Sequence, residues 1–357
     1  MLPFFNKIFS GRSYLGVDIG TTSIKVVELT KGEGRPALKT YALLESYGHL
    51  ERLNDAIQTS AFPMVENATA ELLKLAVKHA GTSTKDAVAS LPAFAAFTSL
   101  VEMPVMSDAD TAQAMTFQIK QYVPLPVSQV TIEWIKVGER KDDAGNAKQQ
   151  ILLVSVPNEA IKKYQMIFKM ADLNLVALEV EGLSLARSAT AGAEGLTLVI
   201  DIGSRSTSIA IAQGGYLKFI GQTDFAGGSL TQVISNSLGI RPRRAEDLKK
   251  QRGLAGAGGE YELSTLMMPI LDVILNEARR VKDDFEKSYQ DKVVKIVLAG
   301  GGANLSGIVP YVEKELGLPA AKINPFSLVS YPPELESLVK DLGPSFAVSI
   351  GLGMKNL

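Results

Sequence analysis

Two aspartates, Asp18 and Asp201, stand in the same local sequence half a chain apart. Val17-Asp18-Ile19-Gly20-Thr21-Thr22-Ser23 recurs as Ile200-Asp201-Ile202-Gly203-Ser204-Arg205-Ser206. Each copy reads as an apolar strand ending in Asp-Ile-Gly, a turn of small hydroxyl residues, and a second strand. A carboxylate at the end of such a strand can hold a hydrated Mg²⁺, directly or through water. The turn beyond it offers backbone N–H groups to an anion, and its glycine permits close backbone approach. One such hairpin is common. Two in register could face each other across a cleft and clamp one polyphosphate from both sides. A third element, Leu298-Ala-Gly300-Gly301-Gly302-Ala-Asn304, runs a strand through three glycines into a helix start, as nucleotide sites and simple packing turns both do.

Composition narrows the alternatives. With 357 residues, 46% of them hydrophobic, the chain can bury cores for two or more subdomains, which excludes wholesale disorder. Its 37 basic and 38 acidic residues leave a net charge of −1, and nucleic acid is not an expected partner. No cysteine is present, so disulfides, thiolate metal sites and a cysteine nucleophile are out. The two histidines, His49 and His79, give metal or Ser-His-Asp chemistry almost nothing to work with. No apolar run reaches about 18 residues, and the apolar start from Met1 to Phe9 is too short for a signal peptide. A cytoplasmic location is expected.

The elements that must position the aspartates follow from period and turn chemistry. Strands are expected over 14–20, 24–29 and 38–44, then a helix over 64–79 with apolar Ala68, Leu72, Leu75 and Ala76 on one face. Two further strands precede a helix opened by Ser107 and Asp110 and stopped by Pro124 and Pro126. A strand pair over 129–137 and 149–156, a helix over 161–172 and a strand over 175–180 complete the first half. The second half expects strands over 196–203, 206–212, 216–222 and 295–299. Its helices are expected near 229–238, 243–252, 263–288 and 307–316, with an apolar one from Pro344 to Leu357.

Taken together, the ordered set of two Asp-Ile-Gly hairpins and a Gly-Gly-Gly turn resembles the actin, Hsp70-type and FtsA nucleotide-binding superfamily over nearly the whole chain. The resemblance implies an α/β, two-lobed actin-like fold of duplicated ribonuclease-H-like domains with an inserted α+β subdomain. The expected division is 1–84 for the first part of lobe 1, 85–174 for the insert and 175–195 for the return to lobe 1. Lobe 2 is expected over 196–335, and a C-terminal helix back on lobe 1 over 336–357. By the same resemblance Asp18, Gly20, Thr21, Thr22 and Lys25 form the first phosphate motif, and Asp201, Gly203 and Ser204 the second. Gly300, Gly301 and Gly302 form the adenosine motif, and Gly227 and Gly228 a second phosphate-side glycine pair. Glu246 and Lys249 match a helix that holds ribose and adenine, although a surface pair three residues apart reads equally well locally. Glu181 sits where chaperone-like members keep a water-positioning carboxylate. The implied ligands are ATP and Mg²⁺, the metal at Asp18 and Asp201 through water.

Within the superfamily, the placing of the insert and the runs Leu15-Gly-Val-Asp-Ile-Gly-Thr-Thr-Ser and Phe117-Gln-Ile-Lys-Gln-Tyr-Val-Pro-Leu-Pro resemble the PilM family of type IV pilus assembly. That resemblance implies binding to the cytoplasmic N-terminal tail of the inner-membrane protein PilN, contact with the pilus assembly complex and its motor, and an option of self-association. An FtsA-like division protein and a sugar or acetate kinase are the alternatives, the first lacking its charged amphipathic end here and the second an identifiable base. The chain departs from the chaperone pattern at the second hairpin, where Ser204 and Arg205 replace glycines, so ATP turnover is expected to be weak or absent. The partner groove is expected where the insert meets lobe 1, walled by Val88, Leu91, Phe94, Phe97 and Leu100, residues that read equally well as core. Phe4, Phe5, Ile8 and Phe9 either dock on the body or form a foot for membrane or partner.

Overall fold

The computed structural model describes residues 13–45, 63–142, 144–254, 260–355 and 357. The Phe4–Phe9 cluster and His49 lie outside the described residues. The first half opens with β1 (Ser13–Ile19), β2 (Ser23–Thr30) and β3 (Ala37–Glu45), followed by α1 (Pro63–Ala80) and β4 (Asp86–Leu91). Next come β5 (Phe97–Pro104), α2 (Asp108–Tyr122), β6 (Val130–Lys141) and β7 (Ala147–Pro157). The half closes with α3 (Asn158–Met170), β8 (Asn174–Val180) and α4 (Glu181–Thr190). The second half holds β9 (Leu196–Ile202), β10 (Thr207–Gln213), β11 (Tyr216–Thr223), α5 (Gly227–Leu238), α6 (Pro242–Arg252) and α7 (Glu260–Tyr289). It ends with β12 (Val293–Ala299), α8 (Ile308–Leu316), β13 (Ala320–Lys322) and α9 (Glu336–Gly353).

The strands form two five-stranded sheets of the same plan, ordered β3-β2-β1-β4-β8 and β11-β10-β9-β12-β13. In each, an antiparallel three-strand meander is extended by two parallel strands from its first member. β1 and β9 therefore lie centrally, covered on both faces. That is why their sequences are near-continuous apolar runs and not alternating ones. Helix α9 lies on lobe 1 at very short range. A Cβ on Gly16 of β1 would stand 2.0 Å from the Ser349 carbonyl oxygen, and one on Gly351 2.1 Å from that of Ser184 in α4. Glycine at both places lets backbone meet backbone. The helix starts at Glu336, earlier than the expected Pro344, which it accommodates internally.

The expected insert, 85–174, does not correspond to the strand pairing. β4 runs parallel to β1, and β8 parallel to β4, so both belong to the first sheet. Ala87 to Leu91 are buried in succession, as a central parallel strand requires. Ile167 and Phe168 of α3 also join the core under that sheet. What stands apart is the three-stranded sheet β5-β7-β6 with α2 on it, residues 97–157. Central β7 is buried from Gln149 to Val156 because its two faces have different tasks. Leu152, Val154 and Val156 join the lobe 1 core, while Ile151 and Leu153 pack with Val101, Met103, Met115 and Ile119. Ser107 caps α2 by accepting the Asp110 N–H, as its sequence implies. Trp134 packs half-buried against the same small core.

Lobe 2 braces this sheet through a buried lysine. Lys218 of edge strand β11 donates to the Val137 carbonyl and, at 2.9 Å, to Gln150 Oε1. Burial pulls its pKa down to about 8. Gln150 in turn donates to Glu102, which Arg140 grips with two hydrogen bonds of 2.6 and 2.7 Å.

Candidate functional site

The two hairpins open into one cleft of about 630 Å³ between the lobes. Its walls include Asp18, Gly20, Thr21, Thr22 and Lys25 from lobe 1, and Asp201, Gly203 and Ser204 from lobe 2. Gly227, Gly228, Glu246, Lys249, Gly300, Gly301, Gly302 and Glu181 line it as well. The fold thus brings together every residue singled out in the sequence for nucleotide or metal.

The turns are built alike. Gly20 donates its N–H to the Ser23 carbonyl at 2.9 Å, and Gly203 its own to that of Ser206 at 3.1 Å. Behind each turn the strands pair in the same register, Asp18 opposite Lys25 and Asp201 opposite Ser208. The Asp18 carboxylate is held at both oxygens, by Lys25 at 3.0 Å and by the Ser90 hydroxyl at 2.9 Å. Burial pulls the Lys25 ammonium toward deprotonation, but Asp18, Asp201 and Glu181 outweigh it and leave its pKa raised. Asp201 has no lysine beside it in the ladder. Burial, Glu181 and Asp18 push its pKa up to about 7.

Glu181 is the first residue of α4, the helix that leads from the first sheet toward the second. Its Oε1 accepts the Ser208 hydroxyl and, at 3.2 Å, the Ala93 N–H. Burial and the Asp18 charge raise its pKa against those hydrogen bonds. Gly182, next to it, leaves room for Ile220 and Leu217 of β11, since a Cβ there would approach Ile220 to 2.6 Å. The carboxylate is thereby seated between the lobes.

The glycine turn packs directly on the second aspartate. Gly300 has φ +76°, and a Cβ on it would meet Asp201 Oδ1 at 2.3 Å and the Ile202 carbonyl oxygen at 2.5 Å. Its N–H bonds the Pro344 carbonyl of α9 at 2.8 Å, tying the turn to the helix that lies on lobe 1. Gly301 has open space where its side chain would be.

Two of the expected contacts have a scaffold task. The Gly227 and Gly228 N–H groups, at the start of α5, donate to the Gly203 and Ser204 carbonyls at 2.9 and 2.7 Å, so they fasten α5 to the second hairpin. The Lys249 ammonium, which has three protons to give, meets the Gly227 carbonyl at 2.8 Å, Thr231 Oγ1 at 2.9 Å and Glu246 Oε2 at 2.6 Å. Glu246 also accepts from Thr231, and although burial opposes it, Lys249 holds its pKa below the usual carboxylate value. Lys249 is buried and Glu246 half-buried, and the pair joins α5 to α6; it is no surface pair.

Several cleft residues carried no flag in the sequence. Ser208 was reachable by stepping from Asp201 the seven residues that separate Lys25 from Asp18. Ser90, Lys163 and Tyr164 arrive through tertiary pairing alone. Burial and the Asp18 and Glu181 charges push the Tyr164 phenol up. At the mouth, Lys250 of α6 reaches Glu45 of β3 at 3.7 Å, an ion pair across the lobes.

Val88 and Leu91, expected as groove walls, are fully buried in the lobe 1 core because β4 is a central strand. Phe94 and Phe97 are exposed, at 42% and 44%, and Leu100 is half-buried against both lobes' cores. Among the described residues, no helix is long and apolar enough to cross a membrane.

Two lobes on one strand plan, closed by a C-terminal helix, with paired Asp-Ile-Gly turns facing a shared cleft, define an actin-like protein. The sequence model of the type IV pilus assembly protein PilM family matches residues 16–357, and the chain belongs to that family. Solved structures agree on the fold. A PilM-PilN type IV pilus biogenesis complex superposes with a TM-score of 0.78 at 22% identity, over 96% of this chain and 98% of that one. The ethanolamine utilization protein EutJ from Carboxydothermus hydrogenoformans gives 0.53 at 18% identity, over 99% and 93%. MreB5 of Spiroplasma citri, bound to ADP, gives 0.51 at 14%, over 95% and 94%.

Proposed function

We propose that this actin-like pilus assembly protein binds Mg-ATP in its interlobe cleft and, in that state, grips the cytoplasmic N-terminal tail of PilN, joining it to the assembly motor. It would then sit at the inner membrane through its partners. The observation that carries the reading is the convergence of both duplicated hairpins and the Gly300–Gly302 turn on one cleft of about 630 Å³, a volume in the range of nucleotide-sized pockets. The MreB5 relative is described with ADP bound and the PilM relative with PilN, which supports both halves of the proposal.

The donor set suits a metal-bound polyphosphate. Asp18 and Asp201 supply carboxylates from opposite walls, and Lys25 a cation between them. Among the described residues no group of three or more His, Cys, Asp or Glu side chains could hold a metal ion. A Mg²⁺ here would therefore take phosphate oxygens and water as most of its ligands, which is its usual habit. When bound it would neutralise phosphate charge.

Slow hydrolysis is the regime these residues support. An attacking water needs an oriented acceptor, and with Glu181 Oε1 accepting from Ser208 and Ala93, only its Oε2 is left for that task. The protein would then use the nucleotide to fix a conformation. The place for the partner tail is the junction of β4 and β5, where Phe94 and Phe97 offer apolar anchors to an extended peptide.

Calorimetric titration with Mg-ATP tests the cleft. Binding is expected to the full chain and at least about tenfold weaker to Asp18→Ala, with the circular dichroism spectrum unchanged. Wild-type protein that gives no binding heat, or an Asp18→Ala variant with full affinity, refutes the assignment.

A further inference from the structure

We infer that Lys218 is a latch between the lobes: it fastens lobe 2 to the three-stranded sheet that lobe 1 carries, and so limits how far the cleft opens. The latch lies where two β-bulges meet. In β11 the pairing steps from Ile211–Phe219 to Ala212–Leu217, which leaves Lys218 as the extra residue. In β6 it steps from Lys136–Ile151 to Gly138–Gln150, which leaves Val137 as the extra residue. A bulge takes one residue out of the ladder and re-aims its side chain. The first bulge buries Lys218 directly after buried Leu217, where strict alternation would send the two to opposite faces. At the second, the Val137 carbonyl accepts the ammonium. Gly138 supplies the room, since a Cβ there would stand 2.3 Å from Lys218 Nζ.

The grip extends to the whole sheet. Gln150 of β7 accepts the ammonium at its Oε1 and donates its own amide N–H to Glu102 of β5 at 2.9 Å, and Arg140 of β6 closes on Glu102. One lysine from lobe 2 is thus bonded, directly or through side chains, to all three strands. The sheet in turn is anchored on lobe 1, whose core takes Leu152, Val154 and Val156. Leu100 of β5 packs on the cores of both lobes, and the Tyr289 hydroxyl of α7 lies 3.5 Å from its carbonyl oxygen. Lobe 2 therefore swings away from lobe 1 only by drawing Lys218 out of its socket. The socket sits at the end of β10 and β11 remote from the turn that Gly203 closes, so the latch is independent of what the cleft holds. The Lys250–Glu45 pair at the mouth also spans the lobes, but its side chains are 52% and 47% exposed, and such a pair contributes little. Buried, directional bonds are the stronger restraint.

The chain has no cysteine, so two introduced thiols can carry spin labels without interference. Leu75→Cys on α1 and Val273→Cys on α7, both at exposed positions, report the distance between the lobes in the nucleotide-free full chain. With the latch intact the labels should give one narrow distance distribution. Lys218→Ala should widen that distribution at least about twofold. Gly138→Ala, whose methyl displaces the ammonium, should widen it as well, yet add nothing in the Lys218→Ala background, where no ammonium remains to displace. Plain loss of packing at two sites would add instead. Gln150→Leu removes one acceptor and leaves the lysine in place, so it decides the matter if Lys218→Ala fails to fold: a wider distribution is expected there too. An unchanged width in Lys218→Ala or Gln150→Leu, or additive widening in the double variant, overturns the latch.

Discussion

Ser208 lies opposite Asp201 in the β9–β10 ladder, in the place that Lys25 holds opposite Asp18 between β1 and β2. The duplicated halves have thus kept backbone and aspartate and diverged in charge. Lys25 pairs with Asp18 at 3.0 Å, whereas the Ser208 hydroxyl turns to Glu181. Three cleft carboxylates, Asp18, Glu181 and Asp201, feel one another's charge with one strand lysine among them, and the imbalance falls on Asp201.

Asp201 makes the nucleotide-free protein less stable as pH rises. Its pKa goes from an ordinary 3.8 to about 7 on folding, driven by burial and by Glu181 and Asp18. Between those values the folded state holds more protons than the unfolded one. Its stabilising share is therefore present below about pH 4 and lost as pH climbs through 7. Asp201→Asn, neutral throughout, removes that loss. Without nucleotide the variant should melt a few degrees above wild type at pH 8, a gain on the order of 1–2 kcal/mol, and at nearly the same temperature at pH 4. A variant that melts lower at pH 8 contradicts the account.

Lys25 compensates the same cluster. Lys25→Met leaves Asp18, Glu181 and Asp201 facing one another without it, which should cost about 3–5 kcal/mol at pH 8. The deficit should shrink at pH 5, where Asp201, raised to about 7, has taken up its proton. Urea unfolding at the two pH values measures this, and an equal loss at both would show that Lys25 acts through packing alone.

Much of this site was legible in the sequence because its parts are local. A strand, Asp-Ile-Gly and a hydroxyl turn declare a hairpin, and the interval from Asp18 to Lys25 is the register of that hairpin. Ser90 was invisible because only the parallel pairing of β4 with β1 places it on Asp18. The boundary of the insert failed for the same reason. Residues 85–174 are contiguous in the chain, but β4 and β8 take their partners from the first sheet, and no local signal reports a parallel partner. Val88 and Leu91 passed from groove to core with them. Gly227 and Gly228 matched a phosphate motif by type, and only the Gly203 and Ser204 carbonyls reveal what their N–H groups hold.

Gly300 and Gly301 should separate folding from binding. An alanine at 300 puts a methyl 2.3 Å from Asp201 Oδ1 at φ +76°, a backbone conformation that side chains avoid. Gly300→Ala is expected to destabilise by about 2 kcal/mol or more and to disturb Asp201 directly. Gly301→Ala meets nothing within 4 Å, so its melting temperature should stay within about a degree of wild type. If the turn seats a nucleoside, that same methyl intrudes on the ligand, and Mg-ATP affinity falls in a protein of normal stability. Equal affinity in Gly301→Ala would move the nucleoside away from this turn.

The partner surface is tested by residues the fold does not need. Phe94 and Phe97 keep 42% and 44% of their surface exposed beside the junction of lobe 1 and the three-stranded sheet, so truncating them costs little core. A synthetic peptide copying the first dozen or so residues of the PilN-like membrane partner should bind wild type with micromolar affinity or better, about −8 kcal/mol. Phe97→Ser should weaken it while retaining Mg-ATP binding, and adding Phe94→Ser, at a ring that also lines the cleft, should bring the loss to at least about tenfold while melting within about 2 °C of wild type. Removing residues 85–174 cannot make this test, because it takes β4 and α3 out of lobe 1. Lys218→Met is the informative companion. It leaves Val137 and Gln150 without the ammonium that binds the small sheet to β11, and so loosens the angle between that sheet and lobe 2 without touching either phenylalanine. A tail held only between lobe 1 and the small sheet should bind Lys218→Met with wild-type affinity. A loss in Lys218→Met with none in the phenylalanine pair would place the tail against lobe 2 instead.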